Sequence, residues 1–167
     1  KGGIECDLTV ARLGQNDYHI VTGTGFATHD FDWISRNLSG DAHLADVTSA
    51  MAVLSLMGPK ARDILARHSP DDLTNAGFPF GTARWITVAG CPVLALRVTY
   101  VGELGWELHM PTDDTGTVFD ALMAAGVPHG LRLAGYRAID SLRLEKGYRA
   151  WGSDITPNDN PFQAGLG

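Results

Sequence analysis

The stretch Tyr100-Val-Gly-Glu-Leu-Gly-Trp-Glu107 places glycines on either side of Glu103-Leu104, the pattern of a two-residue β-hairpin loop. In that register Gly102 faces Gly105, Val101 faces Trp106 and Tyr100 faces Glu107. Directly paired cross-strand residues share one face of the sheet with Cβ atoms about 5 Å apart, so a phenol and a carboxylate would stand side by side. Such a pair either bonds to itself, as in an ordinary hairpin, or grips a flat polar ligand.

Working outward, Thr82 to Val88 and Pro92 to Val101 read as strands joined by a turn at Ala89-Gly90. Downstream, Thr112-Asp113-Asp114 offers a cap to a helix carrying Val118, Phe119, Leu122 and Met123 and ended by Gly126. A last helix, about Tyr136 to Lys146, is expected to pack Ile139, Leu142 and Leu144. Near the start, Ile4, Cys6, Leu8 and Val10 alternate with Glu5, Asp7 and Thr9, the period of a half-buried strand. Tyr18 to Thr22 makes a second strand, and Asp30 and Asp32 are placed to cap a helix with Phe31, Ile34 and Leu38 on one face. Ala42 to Leu56 reads as largely extended, and Gly58-Pro59 opens a helix with Ala61, Ile64 and Leu65 inward.

Hairpins interrupted by single helices point to an α+β protein with antiparallel sheets and helices on one face, not to a doubly wound parallel sheet. The β-β-α-β rhythm occurs twice and no Pro/Gly/Ser-rich linker intervenes, so the halves are expected to pack closely or interleave. The expected division is 1–49 as part of a first lobe and 50–167 as a second.

The 167 residues, 44% hydrophobic and 19% charged, are enough to bury a sizeable core. No apolar run approaches the roughly 20 residues of a membrane-spanning helix, and the expected compartment is intracellular, by default cytoplasmic. A net charge of −6 without a Lys/Arg cluster argues against nucleic acid. Cys6 and Cys91 are too few for a disulfide framework, and the histidines show no ligand spacing, so no metal site is expected. Gly23-Thr-Gly25 follows a strand and precedes a helix, but Thr28 stands where a dinucleotide loop has its third glycine. No Ser lies in a Gly-x-Ser-x-Gly elbow. Asp7, a lone carboxylate on a polar strand face, is either solvated or, if that face lines a cleft, a proton acceptor or an anchor for N–H groups.

Three stretches taken together carry a family resemblance: Gly2-Gly-Ile-Glu-Cys-Asp-Leu-Thr-Val10, Tyr100 through His109, and Gly135-Tyr-Arg-Ala-Ile-Asp-Ser-Leu-Arg-Leu-Glu-Lys-Gly-Tyr-Arg-Ala-Trp151. In order and spacing the chain resembles the tetrahydrofolate-binding half of the sarcosine and dimethylglycine dehydrogenases, within the aminomethyltransferase (glycine-cleavage T-protein) superfamily. Gly77-Phe-Pro-Phe80 and Asp159-Asn-Pro-Phe-Gln-Ala-Gly165 extend the similarity. The resemblance implies two interleaved ferredoxin-like lobes of a folate-binding fold, with a flavin domain upstream and a small barrel downstream that this chain lacks. Asp7 then matches the acidic residue near the folate's reacting nitrogens, with Leu8 and Thr9 beside it. Tyr100 matches a folate-contacting aromatic, and Glu107 matches the carboxylate that binds the pterin, followed by Leu108 and His109. Ile139 departs from the glycine-cleavage branch, which has Arg in that motif, and this favours the amine-dehydrogenase branch.

What the resemblance implies for function is transfer of a one-carbon unit from an oxidised N-methyl amine, a sarcosine or dimethylglycine iminium, to tetrahydrofolate, giving 5,10-methylenetetrahydrofolate. FAD would belong to a flavin domain of the same polypeptide and not to this chain. The alternatives are a lipoate-dependent aminomethyltransferase of glycine cleavage and a non-catalytic folate-binding or regulatory module.

Overall fold

The computed structural model describes residues 2–166, which divide into two compact units. One comprises 1–46 with 147–167 and the other 47–146, so the second is inserted in sequence within the first. The sequence reading put the break at 49/50 and assigned 147–167 to the second lobe, whereas these residues group with the amino-terminal unit. The fold is α+β with antiparallel sheets, as expected.

In the first unit β1 (Leu8–Arg12) pairs antiparallel with β2 (Tyr18–Thr22), Leu8 opposite Thr22 and Thr9 opposite Val21. The alternation from Ile4 does not extend the strand backward. Residues 2–7 are irregular and are held by the carboxy-terminal segment instead: Trp151 Nε1 donates to the Ile4 carbonyl at 2.7 Å, and the Ile4 N–H donates to the Asp159 carbonyl at 3.0 Å. Gly3 lies so close to Pro157 that a Cβ would sit 1.9 Å from its carbonyl oxygen, which only glycine permits. A 3₁₀ turn at Thr24–Phe26 runs directly into α1 (Ala27–Asn37), so the helix begins before Asp30. Asp30 is therefore not a cap but a first-turn carboxylate folded inward, 2% exposed.

The second unit holds a four-stranded antiparallel sheet, β3 (Met51–Met57), β4 (Ala83–Val88), β5 (Cys91–Leu96) and β6 (Gly105–Pro111), in the order β3-β6-β5-β4. Ala89 and Gly90 both take positive φ (50° and 83°), the two-residue turn whose twist suits the strands it joins. Helices α2 (Ala61–Leu65) and α3 (Thr115–Gly126) cover one face. Leu65, Phe78, Val88, Val93, Trp106, Leu108, Met110 and Val118 are fully buried there. Arg97 enters this core, 8% exposed, donating to the Phe78 carbonyl and to Asn75 Oδ1 (2.7 Å), with its guanidinium 5.6 Å from the Trp106 ring.

β5 ends at Leu96, although the Arg97 backbone still pairs with Gly81 and Thr82. Residues 97–104 form a longer connection, so the expected two-residue hairpin is absent and Glu107 pairs with Leu96 on one side and Ser55 on the other, not with Tyr100. Gly105 serves close strand approach: a Cβ on it would lie 2.6 Å from the Leu56 carbonyl oxygen and 3.0 Å from Met57 Cα. Helix α4 (Tyr136–Glu145) occurs where expected, but its one buried residue is Arg143, while Leu142 and Leu144 are 40% and 57% exposed.

Candidate functional site

The second unit contains a cavity of about 570 Å³, mostly apolar in its lining. β3 supplies Val53 through Met57, α3 supplies Phe119, Leu122 and Met123, and Leu131, Ile139 and Leu142 close another side. Tyr100 and Glu107 both line it. The longer 97–104 connection thus separates them in register and still delivers both to one cavity.

Glu107 sits mid-sheet, its side chain 23% exposed. Side chains alternate along β6, so Trp106, Leu108 and Met110 turn into the helix-covered core while Glu107 and His109 share the other face. His109 is 1% exposed, and its Nε2 lies 3.6 Å from Glu107 Oε2, beyond hydrogen-bond reach. Leu108, fully buried, and His109 do not themselves line the cavity. A two-oxygen acceptor over an apolar floor suits a flat ligand that presents paired N–H donors.

The cavity lining also holds Glu103, whose charge is met by Lys146 Nζ at 3.1 Å, and Arg132, which the sequence reading passed over. Arg132 carries no motif; its one local sign is a single cation in the apolar segment Leu131-Arg-Leu-Ala134, bracketed by Gly130 and Gly135.

Asp7, Leu8 and Thr9 lie together in the first unit. Asp7 is exposed immediately before β1, Leu8 is half-buried and Thr9 exposed. Partial desolvation by surrounding protein, reinforced by the Asp30 charge, raises the Asp7 carboxyl above the usual carboxylate range. Such a carboxylate is a better proton acceptor than a free one.

Asp30 organises a polar cluster that the sequence did not announce. Its carboxylate accepts from the Thr22 hydroxyl, its Oδ1 lies 2.9 Å from His29 Nδ1, and the Cys6 thiol bonds to it. Burial pushes the Asp30 carboxyl up, but the Thr22, His29 and Cys6 hydrogen bonds together with the His29 charge outweigh it and hold it below its ordinary value. His29 is raised, first by its bond to Asp30, with burial opposing and a 3.2 Å contact to Glu5 Oε1 adding. Burial, the Asp30 bond and the Asp30 and Glu5 charges push the Cys6 thiol up to about 11. No metal site was expected from spacing, yet Cys6, His29 and Asp30 bring one ligand atom each within 4.8 Å of one another. These atoms are engaged with each other, and the ensemble behaves as a hydrogen-bonded network under β1 and β2.

No helix among the described residues is long and apolar enough to cross a membrane. Comparison with known proteins gives consistent results. The chain is 43% identical over 182 residues to the mitochondrial sarcosine dehydrogenase of Mus musculus, covering 99% of this chain and 20% of that protein. It is 40% identical over 166 residues to an aminomethyltransferase of Halothermothrix orenii, covering 99% of this chain and 46% of that one. The chain therefore spans about a fifth of the dehydrogenase and under half of the transferase. Among solved structures, the glycine cleavage system aminomethyltransferase T of Bartonella henselae superposes with a TM-score of 0.75 at 26% identity, over 99% of this chain and 43% of that chain. With residues 1–167 matching throughout, the chain belongs to the GCVT N-terminal domain family.

Proposed function

We propose that this chain binds a reduced folate and serves the transfer of a one-carbon unit to it from an oxidised N-methyl amine, within a flavin-linked amine dehydrogenase. The observation that carries the reading is the Glu107 carboxylate on the wall of an apolar cavity that Tyr100 also lines. Two carboxylate oxygens accept two N–H donors at once, the complement of a 2-aminopyrimidinone edge, and the surrounding Leu, Val and Met side chains suit the flat ring behind it. The similarity to a sarcosine dehydrogenase supplies the amine and oxidation half of the proposal. Oxidation is assigned to a flavin domain of the same polypeptide, and by the same relatives the compartment in a eukaryote is the mitochondrial matrix.

Reduced folate supplies the nucleophilic nitrogen. Glu107 fixes the pterin edge and Tyr100 flanks it, while Leu8 and Thr9 at the start of β1 follow Asp7 directly. Asp7 accepts the proton released from nitrogen, a role its raised pKa favours. The apolar lining around Glu107 and Tyr100 strengthens the polar contacts these two make.

The test is calorimetric titration of the chain and of Glu107→Ala with 5-formyltetrahydrofolate. Removing the charged acceptor of pterin N–H groups weakens binding by about 2 kcal/mol or more. Unchanged affinity in Glu107→Ala removes the pterin assignment.

A further inference from the structure

The cavity that presents Glu107 also presents a cation without a carboxylate partner, and the geometry points to Arg132 as the anchor for an anionic group of the ligand. This inference deepens the folate reading and rests on it. Charged side chains in the lining are Glu103, Glu107 and Arg132. Glu103 is neutralised by Lys146, and Glu107 has the buried His109 imidazole 3.6 Å away. Arg132 makes one hydrogen bond among the described residues, a long 3.3 Å contact from Nη1 to the carbonyl of its own neighbour Leu131. A guanidinium carries five N–H donors in a flat fork that matches a carboxylate in bidentate geometry, so most of its bonding capacity is uncommitted.

The chemistry of the cavity is therefore bipolar. The sheet contributes an acceptor to the lining, the segment between α3 and α4 contributes a donor fork, and most of the remaining lining is apolar. A ligand that complements all of this has an N–H-rich ring at one end, an apolar body and a carboxylate at the other. Pteroylglutamates have that order of groups, with the glutamate carboxylates as the anion. Ile139, which also lines the cavity, offers no charge, so Arg132 is the lining's one basic side chain.

Because Arg132 is exposed, its bond to a carboxylate forms in partly screened surroundings and is sensitive to salt. The discriminating experiment compares two probes on the chain and on Arg132→Met and Arg132→Lys: 5-formyltetrahydrofolate, which has the glutamate, and 6-methyltetrahydropterin, which lacks it. Arg132→Met is expected to weaken the folate by about two- to fivefold at low salt and by less at high salt, while leaving the pterin unchanged. Arg132→Lys keeps the charge but not the fork and falls between. Equal weakening of both probes, or no change in either, overturns the anchor while leaving the folate reading intact. Failure of both probes to bind the unaltered chain refutes the folate reading, and the anchor with it. Circular dichroism on each variant checks that the fold is retained, which exposure of the side chain leads one to expect.

Discussion

Thr22→Val tests whether the network around Asp30 is what holds β2 to α1. Valine keeps the shape of threonine and removes one hydroxyl, so the perturbation is confined to a single donor on a carboxylate that is 2% exposed. With so little exposure, water cannot take the donor's place. A hydrogen bond to a charged group contributes about 1.5–3 kcal/mol, and for a chain of this size each kcal/mol corresponds to ~2–4 °C, so the melting midpoint should fall by roughly 3–12 °C at pH 6 to 7. The pH dependence is the sharper readout. Asp30 has a folded-state pKa below its unfolded value of about 3.9, so its bonds stabilise the protein above that pH and are lost as pH falls through the depressed folded value. The gap between Thr22→Val and the unaltered chain is therefore full at pH 6 and closes toward pH 3. His29 titrates in the opposite sense: its folded value is raised, so its contribution is present below about 6.5 and is lost as pH rises through that raised value. It is common to both proteins and largely cancels in the comparison. Urea denaturation followed by circular dichroism at pH 3 and pH 6 measures both gaps. Equal stability at pH 6, or a deficit of the same size at both pH values, refutes the reasoning.

Gly105→Ala drives a methyl against the Leu56 backbone, which cannot swing aside like a side chain, and should destabilise by about 1–3 kcal/mol in urea while weakening folate binding through displaced Met57; a variant as stable as its parent shows the strands have room. Asp7→Asn keeps size and hydrogen bonding but not the proton acceptor. In a full-length protein of the proposed kind, flavin reduction by the amine should persist while 5,10-methylenetetrahydrofolate formation falls roughly 10²-fold and the carbon leaves as formaldehyde. Formation at the parental rate, after subtracting the uncatalysed reaction, makes Asp7 structural.

Local pattern carried the class of the fold and most of its elements, because strand and helix periods are set by neighbours in sequence. It failed where a distant group decides the outcome. The alternation at Ile4 to Val10 is genuine, yet Trp151 and Asp159 claim the backbone of Ile4 from more than a hundred positions away, and the strand starts only at Leu8. Glycines around Glu103-Leu104 resemble a tight loop, but β5 ends at Leu96 and Glu107 takes Leu96 and Ser55 as its strand partners, pairings between residues distant in sequence that no local pattern reports. Tyr100 and Glu107 were legible as residue types at a spacing, and their shared cavity followed from the longer connection instead of from cross-strand pairing. Asp30 looked like a cap because Asp before an apolar run commonly is one; the preceding 3₁₀ turn made it an interior carboxylate. Arg132 had no signal of its own, since an arginine between leucines becomes informative only when a cavity forms beside it.

The nesting of one unit inside the other sets an order of assembly during synthesis. Residues 47–146 contain their whole sheet and both covering helices in one contiguous run, so this unit has all its partners as soon as it has left the ribosome. Residues 2–46 emerge before that insert and find their partners only after it: Ile4 has to wait for Trp151 and Asp159, and Phe26 for the Trp151 ring that packs edge-on at 4.8 Å. Closing so long a loop is entropically expensive while the intervening chain is loose, and an already folded insert shortens the effective distance. Until then β1 and β2 remain an isolated hairpin, marginal in water, with the Asp30 network unsupported on one side. Residues 2–46 thus wait through the synthesis of the whole insert, exposed to proteases and chaperones, before their carboxy-terminal partners arrive.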